Sequence, residues 1–169
     1  IEGTIINYPV MQTKDRPDYY LKKGFQDGDS EYGVPYLAEH CDIDTSDNIV
    51  IYGHNMANNT MFAELCEYTS EEFYQEHRMI QFDTLSYYGT YEILSVFKTK
   101  VYTDSGFKYY EFSKAANAEE FENYVNTCKE LSLYDTGVNA QYGERLITIS
   151  TCEHSQKNGR LVVVAKKVD

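Results

Sequence analysis

A cysteine and an arginine near the end of the chain are the first candidates for chemistry. Cys152 lies near the end of an apolar, β-branched segment, and Arg160 opens a second such segment after the pair Asn158-Gly159. A thiol becomes a nucleophile when a nearby positive charge or base favours its thiolate. Arginine stays charged at any ordinary pH, so its role would be to hold a carbonyl or an oxyanion rather than to accept a proton.

The acid/base would have to come from one of four histidines. His54 is favoured, because it follows the end of a buried-looking strand segment and precedes a polar loop, which places an imidazole at a strand terminus. His154 is the rival, since residues two apart on a strand share a face and it lies two positions past the cysteine. His40 and His77 stand in polar surroundings and are expected to be solvated.

Each candidate also has a purely structural interpretation. A cysteine in a β-branched strand is more often packing, Arg160 fits an ordinary surface charge after a turn, and His54 fits a helix cap. A zinc site built on Cys152 and His154 lacks further ligands at a recognisable spacing. A papain-like or caspase-like protease is disfavoured because neither family's cysteine motif occurs. Residue types alone therefore give a candidate Cys-His-Arg site and no more.

Composition limits the class of protein. The chain has 169 residues, enough for one domain, and its formal charge is 15 − 27 = −12 without a basic stripe, which excludes nucleic acid as an expected partner. No apolar stretch approaches the roughly 18 residues of a membrane helix. Four cysteines without a C-x-x-C pair argue against a zinc ribbon, and Cys66 and Cys128 fall in helix-periodic segments as expected buried thiols.

The segments that must position these residues are mostly β-type. Seven segments are rich in β-branched and aromatic residues: TIINYPVM, GVPYLAE, NIVIYGH, RMIQFDTL, GTYEILSVFKTKVY, ERLITISTC and RLVVVAKKV. The pair Asn158-Gly159 is typical of a type I′ hairpin turn, which predicts that the last two strands are antiparallel neighbours. The candidate arginine would then return to the same end of the sheet as the cysteine.

Helical patterns are fewer. The apolar period from Asn117 to Leu131 predicts one long amphipathic helix capped by Asn117. Shorter helices are expected at NTMFAELCEY and at TSEEFYQEH, where Thr69 and Glu72 have capping-box spacing. Together the elements predict a mainly antiparallel sheet closed into a barrel, with helices in its connections.

Several motifs resemble those of a known family, the class B sortases, which are cell-wall transpeptidases of Gram-positive bacteria. The segment TISTC resembles the family's TLxTC strand, with Ile149 in place of Leu. The segment NIVIYGHNMANNTMFAEL resembles the family's catalytic-histidine segment, and GRLVVVAKKV resembles its catalytic-arginine strand. INYPVMQ and YYLKKGF are also similar to class B. The resemblance covers nearly the whole chain and implies a closed sortase-type β-barrel of about eight strands, with one long helix before the nucleophile strand.

The resemblance also implies roles for individual residues. It makes Cys152 the nucleophile, His54 the general acid/base and Arg160 the substrate and oxyanion clamp, and it disfavours His154 as the base. Ser150, Thr151 and Glu153 correspond to positions that line the substrate groove in some members. No metal or cofactor is required.

The implied reaction is cleavage of an LPxTG-like or NPxTN-like sorting signal after Thr, through a thioacyl-enzyme that an amine resolves. The amine would belong to a peptidoglycan precursor such as lipid II, or to a pilin lysine in a polymerising member. A non-catalytic β-barrel that only binds peptides is the remaining alternative. Residues 1–169 are expected to form a single, monomeric catalytic domain, held on the extracellular face of the membrane by an N-terminal segment and leading helix upstream of Ile1.

Overall fold

The protein is built on one mixed β-sheet. The computed structural model describes residues 1–104 and 106–169. The strands are β1 (Tyr36–Leu37), β2 (Asn48–Tyr52), β3 (Met79–Gln81), β4 (Thr90–Lys100), β5 (Leu146–Glu153) and β6 (Gly159–Lys167). Their order across the sheet is β1-β2-β5-β6-β4-β3. The β2–β5 pair is parallel and the other neighbouring pairs are antiparallel.

Helices occupy the connections between strands. They are α1 (Glu71–Glu76), α2 (Ala118–Leu131) and short 3₁₀ helices at Tyr19–Leu21, Ala63–Thr69 and Tyr109–Glu111. The predicted long helix is confirmed as α2, whose first turn is capped by the side-chain Oδ1 of Asn117, which accepts the amide of Glu120 at 3.0 Å. The cap of α1 is Ser70 rather than the predicted Thr69. Across the described residues, no helix combines the length and apolarity that crossing a membrane requires.

Both faces of the sheet are buried. Alternate residues along β2 belong to different hydrophobic clusters, with Ile49 and Ile51 on one face and Val50 on the other. The first face packs against the N-terminal segment and the 3₁₀ helix Ala63–Thr69, and the second packs against α2. Burial on both faces explains why the central strands are continuous apolar runs instead of alternating ones.

The predicted fold is confirmed as mainly β with helices in its connections, and the described sheet differs from the predicted closed barrel of about eight strands in strand number and closure. The sheet is a curled half-barrel of six strands, and β1 and β3 form its edges without pairing to each other in the described part of the chain. The predicted strand TIINYPVM contributes only a single bridge, Met11 to Tyr36. Its backbone turns on itself where the amide of Asn7 donates to the carbonyl of Ile5, and Pro9 has no amide to donate.

The β5–β6 connection is a hairpin, as predicted, but its turn is not a two-residue type I′ turn. Pairing runs to Glu153 and Gly159, so five loop residues lie between the strands, and only Asn158 has positive φ, at 58°. The Glu153 carboxylate stabilises this longer loop by accepting the amide and hydroxyl of Ser155 at 3.1 and 2.6 Å. A Cβ atom on Gly159 would lie 2.4 Å from the Glu153 carbonyl oxygen, so the close approach requires glycine.

Candidate active site

The sheet brings His54, Cys152 and Arg160 to one end of three adjacent strands. Cys152 on β5 pairs directly with Arg160 on β6. On the other side of β5, Tyr52 pairs with Ser150, and the chain just beyond β2 stays against β5, because the Gly53 amide donates to the Ser150 carbonyl at 3.2 Å and the Asn55 side-chain amide donates to the Cys152 carbonyl at 2.9 Å. Adjacent strands lie about 4.8 Å apart and paired residues share a face. The backbones of the three candidates therefore lie at the same end of the sheet, although His54 and Cys152 are 98 positions apart in sequence.

The Cys152 thiol is half-buried near the end of β5 and is free of any disulfide. The backbone of Cys152 is held from both sides. On one side its carbonyl accepts a hydrogen bond from the Asn55 side-chain amide at 2.9 Å, and on the other it pairs with Arg160 in the β5–β6 ladder. The thiol is therefore accessible while its backbone is fixed. Partial exposure beside a cation is the environment that favours a reactive cysteine.

The Arg160 guanidinium is available to a ligand. The side chain is half-buried and donates one hydrogen bond, from Nη1 to the Gly159 carbonyl at 2.9 Å. Among residues 1–104 and 106–169, no carboxylate lies within ion-pair distance of it. A fixed, unneutralised guanidinium can hold a carbonyl oxygen and stabilise negative charge that develops there.

A buried tyrosine hydroxyl lies behind this arginine and cysteine. Burial raises the pKa of Tyr109 to about 12, although its hydrogen bond with Ser150 and the charge of Arg160 both act to lower it. The Tyr109 hydroxyl and the Ser150 hydroxyl are 2.6 Å apart. Tyr109 is therefore a neutral hydroxyl at physiological pH that supports the inner side of the nucleophile strand.

His54 is positioned by the segment that leaves β2. The amide of Gly53 donates to the Ser150 carbonyl at 3.2 Å, which extends the parallel ladder by one bond, and the His54 carbonyl then accepts the amide of Phe62 at 2.8 Å. A Cβ atom on Gly53 would lie 2.4 Å from the Phe62 ring, so only glycine permits this packing. The close packing of Gly53 against Phe62 therefore positions the backbone of the adjacent His54.

The His54 ring has one nitrogen engaged. Its Nε2 lies 2.7 Å from the Leu21 carbonyl oxygen. A carbonyl oxygen can only accept, so Nε2 carries the proton in this contact and Nδ1 is the nitrogen that can exchange a proton in the neutral ring. The imidazole can therefore donate and accept a proton at Nδ1 while Leu21 keeps its orientation.

The remaining histidines have different surroundings. His154 is exposed in the loop that follows β5, and His40 is exposed after β1. The prediction that His77 is solvated is wrong, because this ring is half-buried, lies 4.4 Å from the Phe73 ring and contacts the Glu2 carbonyl through Nδ1 at 3.0 Å. Its contacts hold the N-terminal segment against α1.

The three predicted groove residues are buried. Ser150 and Thr151 are each 2% exposed and Glu153 is 9% exposed. The Thr151 hydroxyl donates to the Gly53 carbonyl at 2.8 Å. Burial raises the pKa of Glu153, but hydrogen bonds from Ser155 and the ammonium of Lys98 outweigh it, so the pKa lies below its usual range. These side chains stabilise the end of β5 from within, and their contact with a substrate stays a prediction.

Sequence reasoning missed Asn55, Tyr109 and the Leu21 carbonyl. Asn55 had one available signal, its place directly after the candidate histidine. The other two lie in separate connections whose approach to the sheet depends on tertiary packing, and no local pattern marks them.

A second cysteine lies next to the site, with Sγ of Cys66 3.9 Å from the Cys152 carbonyl oxygen, whereas the cavity of the molecule lies elsewhere. A cavity of about 1060 Å³ opens on the opposite face of the sheet, where Ile51, Ile147 and Ile149 line it. Cys66 is half-buried and its pKa is raised to about 11 by burial. Within the described residues, no three His, Cys, Asp or Glu side chains are grouped so that they could hold a metal ion.

The chain is similar to known proteins over nearly its whole length. A family model described as the sortase domain matches residues 1–168. The chain is 31% identical to sortase B of Staphylococcus aureus over 98% of its own length and 67% of that protein. It is also similar to the crystal structure of Clostridium perfringens sortase B, with a TM-score of 0.90 and 33% identity over 100% of this chain and 91% of that one.

A structure described as a Staphylococcus aureus sortase B-substrate complex is similar as well. Its TM-score is 0.89 at 29% identity, over 99% of this chain and 76% of that one. The family match spans nearly every residue, and the relatives named above are all sortase B proteins. The chain therefore belongs to the sortase family, in the class B group of cysteine transpeptidases.

Proposed function

We propose that this chain cleaves a C-terminal sorting signal of the LPxTG or NPxTN type after its Thr and transfers the new carboxyl end to an amine of a peptidoglycan precursor. The observation that carries the proposal is the order β2-β5-β6, in which Arg160 pairs with Cys152 on one side of β5 and the two neighbours of His54 donate hydrogen bonds to the Ser150 and Cys152 carbonyls on the other. Family membership supports the reaction type, and a related sortase B has been solved as a substrate complex.

The first half-reaction forms a thioester. The Cys152 thiolate attacks the carbonyl carbon of the signal's Thr, and the oxygen of that carbonyl takes on negative charge within reach of the Arg160 guanidinium. Collapse of this intermediate breaks the peptide bond, and protonated His54 gives its proton to the departing amine. The surface protein is then joined through its Thr carbonyl to Sγ of Cys152.

The second half-reaction resolves the thioester. His54, now neutral, accepts a proton from the incoming amine as that amine attacks the thioester carbonyl. Arg160 stabilises the second oxyanion, and Cys152 leaves as the thiolate. Because the proton taken from the amine replaces the one given up earlier, the enzyme returns to its starting protonation state.

A peptide panel tests the substrate and the acceptor together. Peptides carrying LPxTG-like and NPxTN-like signals are mixed with the protein and with either a glycine-based or a lysine-based amine, and the products are identified by mass spectrometry. We expect cleavage after Thr and a new amide to the glycine-type amine, with Cys152→Ala inactive. Joining only to the lysine amine would assign pilus assembly instead. Absence of cleavage with every peptide would contradict the proposal.

We further propose that the domain works at the extracellular face of the cell membrane, where secreted substrates and peptidoglycan precursors meet. Family membership is the support for this location. Protease added to intact source cells is expected to digest the protein, whereas recovery only from the cytoplasm would contradict the location.

A further inference from the structure

The regular backbone hydrogen bonding between β2 and β5 ends at His54. The amide of Gly53 donates to the Ser150 carbonyl at 3.2 Å, as in a regular parallel pair. Continued in the same pattern, the ladder would pair His54 with Cys152, and the backbone amide of Asn55 would donate to the Cys152 carbonyl. The chain instead turns away, because Asn55 forms an isolated bridge with Met61.

Two side chains supply the bonds that the backbone no longer makes. The Thr151 hydroxyl donates to the Gly53 carbonyl at 2.8 Å, and the Asn55 amide nitrogen Nδ2 donates to the Cys152 carbonyl at 2.9 Å. One bond ends on Gly53 and the other starts from Asn55, the residues immediately before and after His54. The histidine is therefore held against the nucleophile strand from both sides while its own ring stays free of the ladder.

The Asn55 amide has a defined orientation. A carbonyl oxygen can only accept, so the NH₂ group and not the amide oxygen must face Cys152. The same nitrogen lies 3.3 Å from Sγ of Cys66, in the 3₁₀ helix Ala63–Thr69. One half-buried side chain thus joins the histidine loop, the following helix and the strand that carries Cys152.

We propose that Asn55 is a positioning residue that fixes the separation of His54 from Cys152. The inference rests on the proposed roles of those two residues. Proton exchange between an imidazole and a thiol depends steeply on their separation, and a displacement of about 1 Å can cost roughly 100-fold in rate. Releasing the Cys152 carbonyl would let the histidine loop move relative to the strand.

The test follows the alkylation of Cys152 by iodoacetamide from about pH 5 to pH 9, the range in which a histidine and a cysteine titrate. Peptide mapping by mass spectrometry assigns the adduct to Cys152. This readout needs no peptide substrate, so it separates the inference from the choice of sorting signal. His54→Gln defines the profile of a thiol that has lost its histidine partner.

We expect Asn55→Ala and Asn55→Asp to shift the pH profile toward that of His54→Gln and to slow alkylation at neutral pH by roughly 10- to 100-fold. Aspartate has the size of asparagine but offers no donor when ionised, which makes it informative even where alanine impairs folding. Asn55→Gln keeps both amide hydrogens and should recover part of the rate. Asn123→Ala removes an exposed asparagine on α2, away from these contacts, and should match the wild type.

Two results would overturn the inference, and they differ in what else they affect. If His54→Gln changes the profile while Asn55→Ala and Asn55→Asp overlay the wild type, Asn55 does not position the pair and the proposed function stands. If His54→Gln itself overlays the wild type, the histidine is not coupled to the thiol. The inference and the proposed role of His54 then fail together.

Discussion

Cys152 pairs directly with Arg160 across β5 and β6, and the ladder ends one residue later at Glu153 and Gly159. A strand pair that ends so close to the site leaves the thiol half-exposed while its backbone remains in the ladder. The guanidinium stands on the neighbouring strand without a carboxylate partner among the described residues. The consequences of this geometry can be measured one side chain at a time.

Replacing Arg160 by lysine should abolish most activity without unfolding the protein. Lysine keeps the positive charge but cannot reproduce the planar fork, and loss of one oxyanion donor costs roughly 100-fold in kcat. Steady-state kinetics with the best peptide of the panel and a thermal unfolding scan check this. Arg145→Lys, just before β5 at the far end of the strand, is the control and should keep its activity. Equal activity of Arg160→Lys and wild type would remove Arg160 from the mechanism.

Substitutions of the two candidate histidines, His54 and His154, should have very different effects on kcat. His54→Gln is expected to lower kcat by roughly 100-fold or more, since a general acid/base contributes on the order of 10²- to 10⁴-fold. His154→Gln, in the exposed loop after β5, should stay within about twofold of the wild type, as most surface substitutions have small effects. If the losses are reversed between these two variants, the assignment of the base is wrong.

Thiol reactivity should single out Cys152 among four free cysteines. Burial raises the pKa of Cys66 to about 11 and that of Cys128 to about 12, and it also raises the pKa of Cys41, so these thiols stay protonated at neutral pH. Brief treatment of the native protein with iodoacetamide at neutral pH should therefore label one residue, as mapped by mass spectrometry. Cys152→Ala should take up no label under the same conditions. Equal labelling of Cys66 would contradict the expected order.

The carboxylate of Glu153 should stabilise the hairpin in a pH-dependent way. Its pKa is below the usual value in the folded protein, so its stabilisation is fully present above the unfolded-state pKa of about 4.3 and is lost as pH falls through the folded-state pKa. Glu153→Gln should lower the free energy of unfolding by about 1–2 kcal/mol at neutral pH. In urea titrations this difference should narrow below about pH 4.

Two comparisons test whether the charge of Glu153 explains this stabilisation. Glu122→Gln, an exposed position on α2, should change stability little at either pH. A gap between wild type and Glu153→Gln that stays constant from neutral to acidic pH would mean that packing, and not charge, explains the loss.

Sequence reasoning reached the central part of the fold because local patterns control it. The β-branched runs of β5 and β6 predict strands that are neighbours whatever turn joins them, and Asn117 marks the start of α2 by a cap that needs only the next three residues. The local pattern favours His54 and the family motifs assign its role, but the parallel pairing that brings the preceding strand beside β5 cannot be inferred from periodicity.

The remaining features depend on tertiary contacts. The hydrogen bond between Tyr109 and Ser150 joins residues 41 positions apart, and nothing near Tyr109 in sequence indicates that partner. The predicted strand TIINYPVM has suitable residue types, but it lies beside a two-residue β1 and forms one bridge only. The five-residue loop replaces a type I′ turn because Glu153 accepts two hydrogen bonds from Ser155. Turn propensities do not include such side-chain hydrogen bonds.

The most direct test of the account is the intact mass of the protein after mixing with a sorting-signal peptide in the absence of an acceptor amine. A thioacyl-enzyme adds the mass of the peptide up to and including its Thr, and hydroxylamine should remove that mass because it cleaves thioesters. We predict this adduct on the wild type, mapped to Cys152, and none on Cys152→Ala. An adduct that persists on Cys152→Ala, or none on the wild type with any peptide of the panel, would contradict the account.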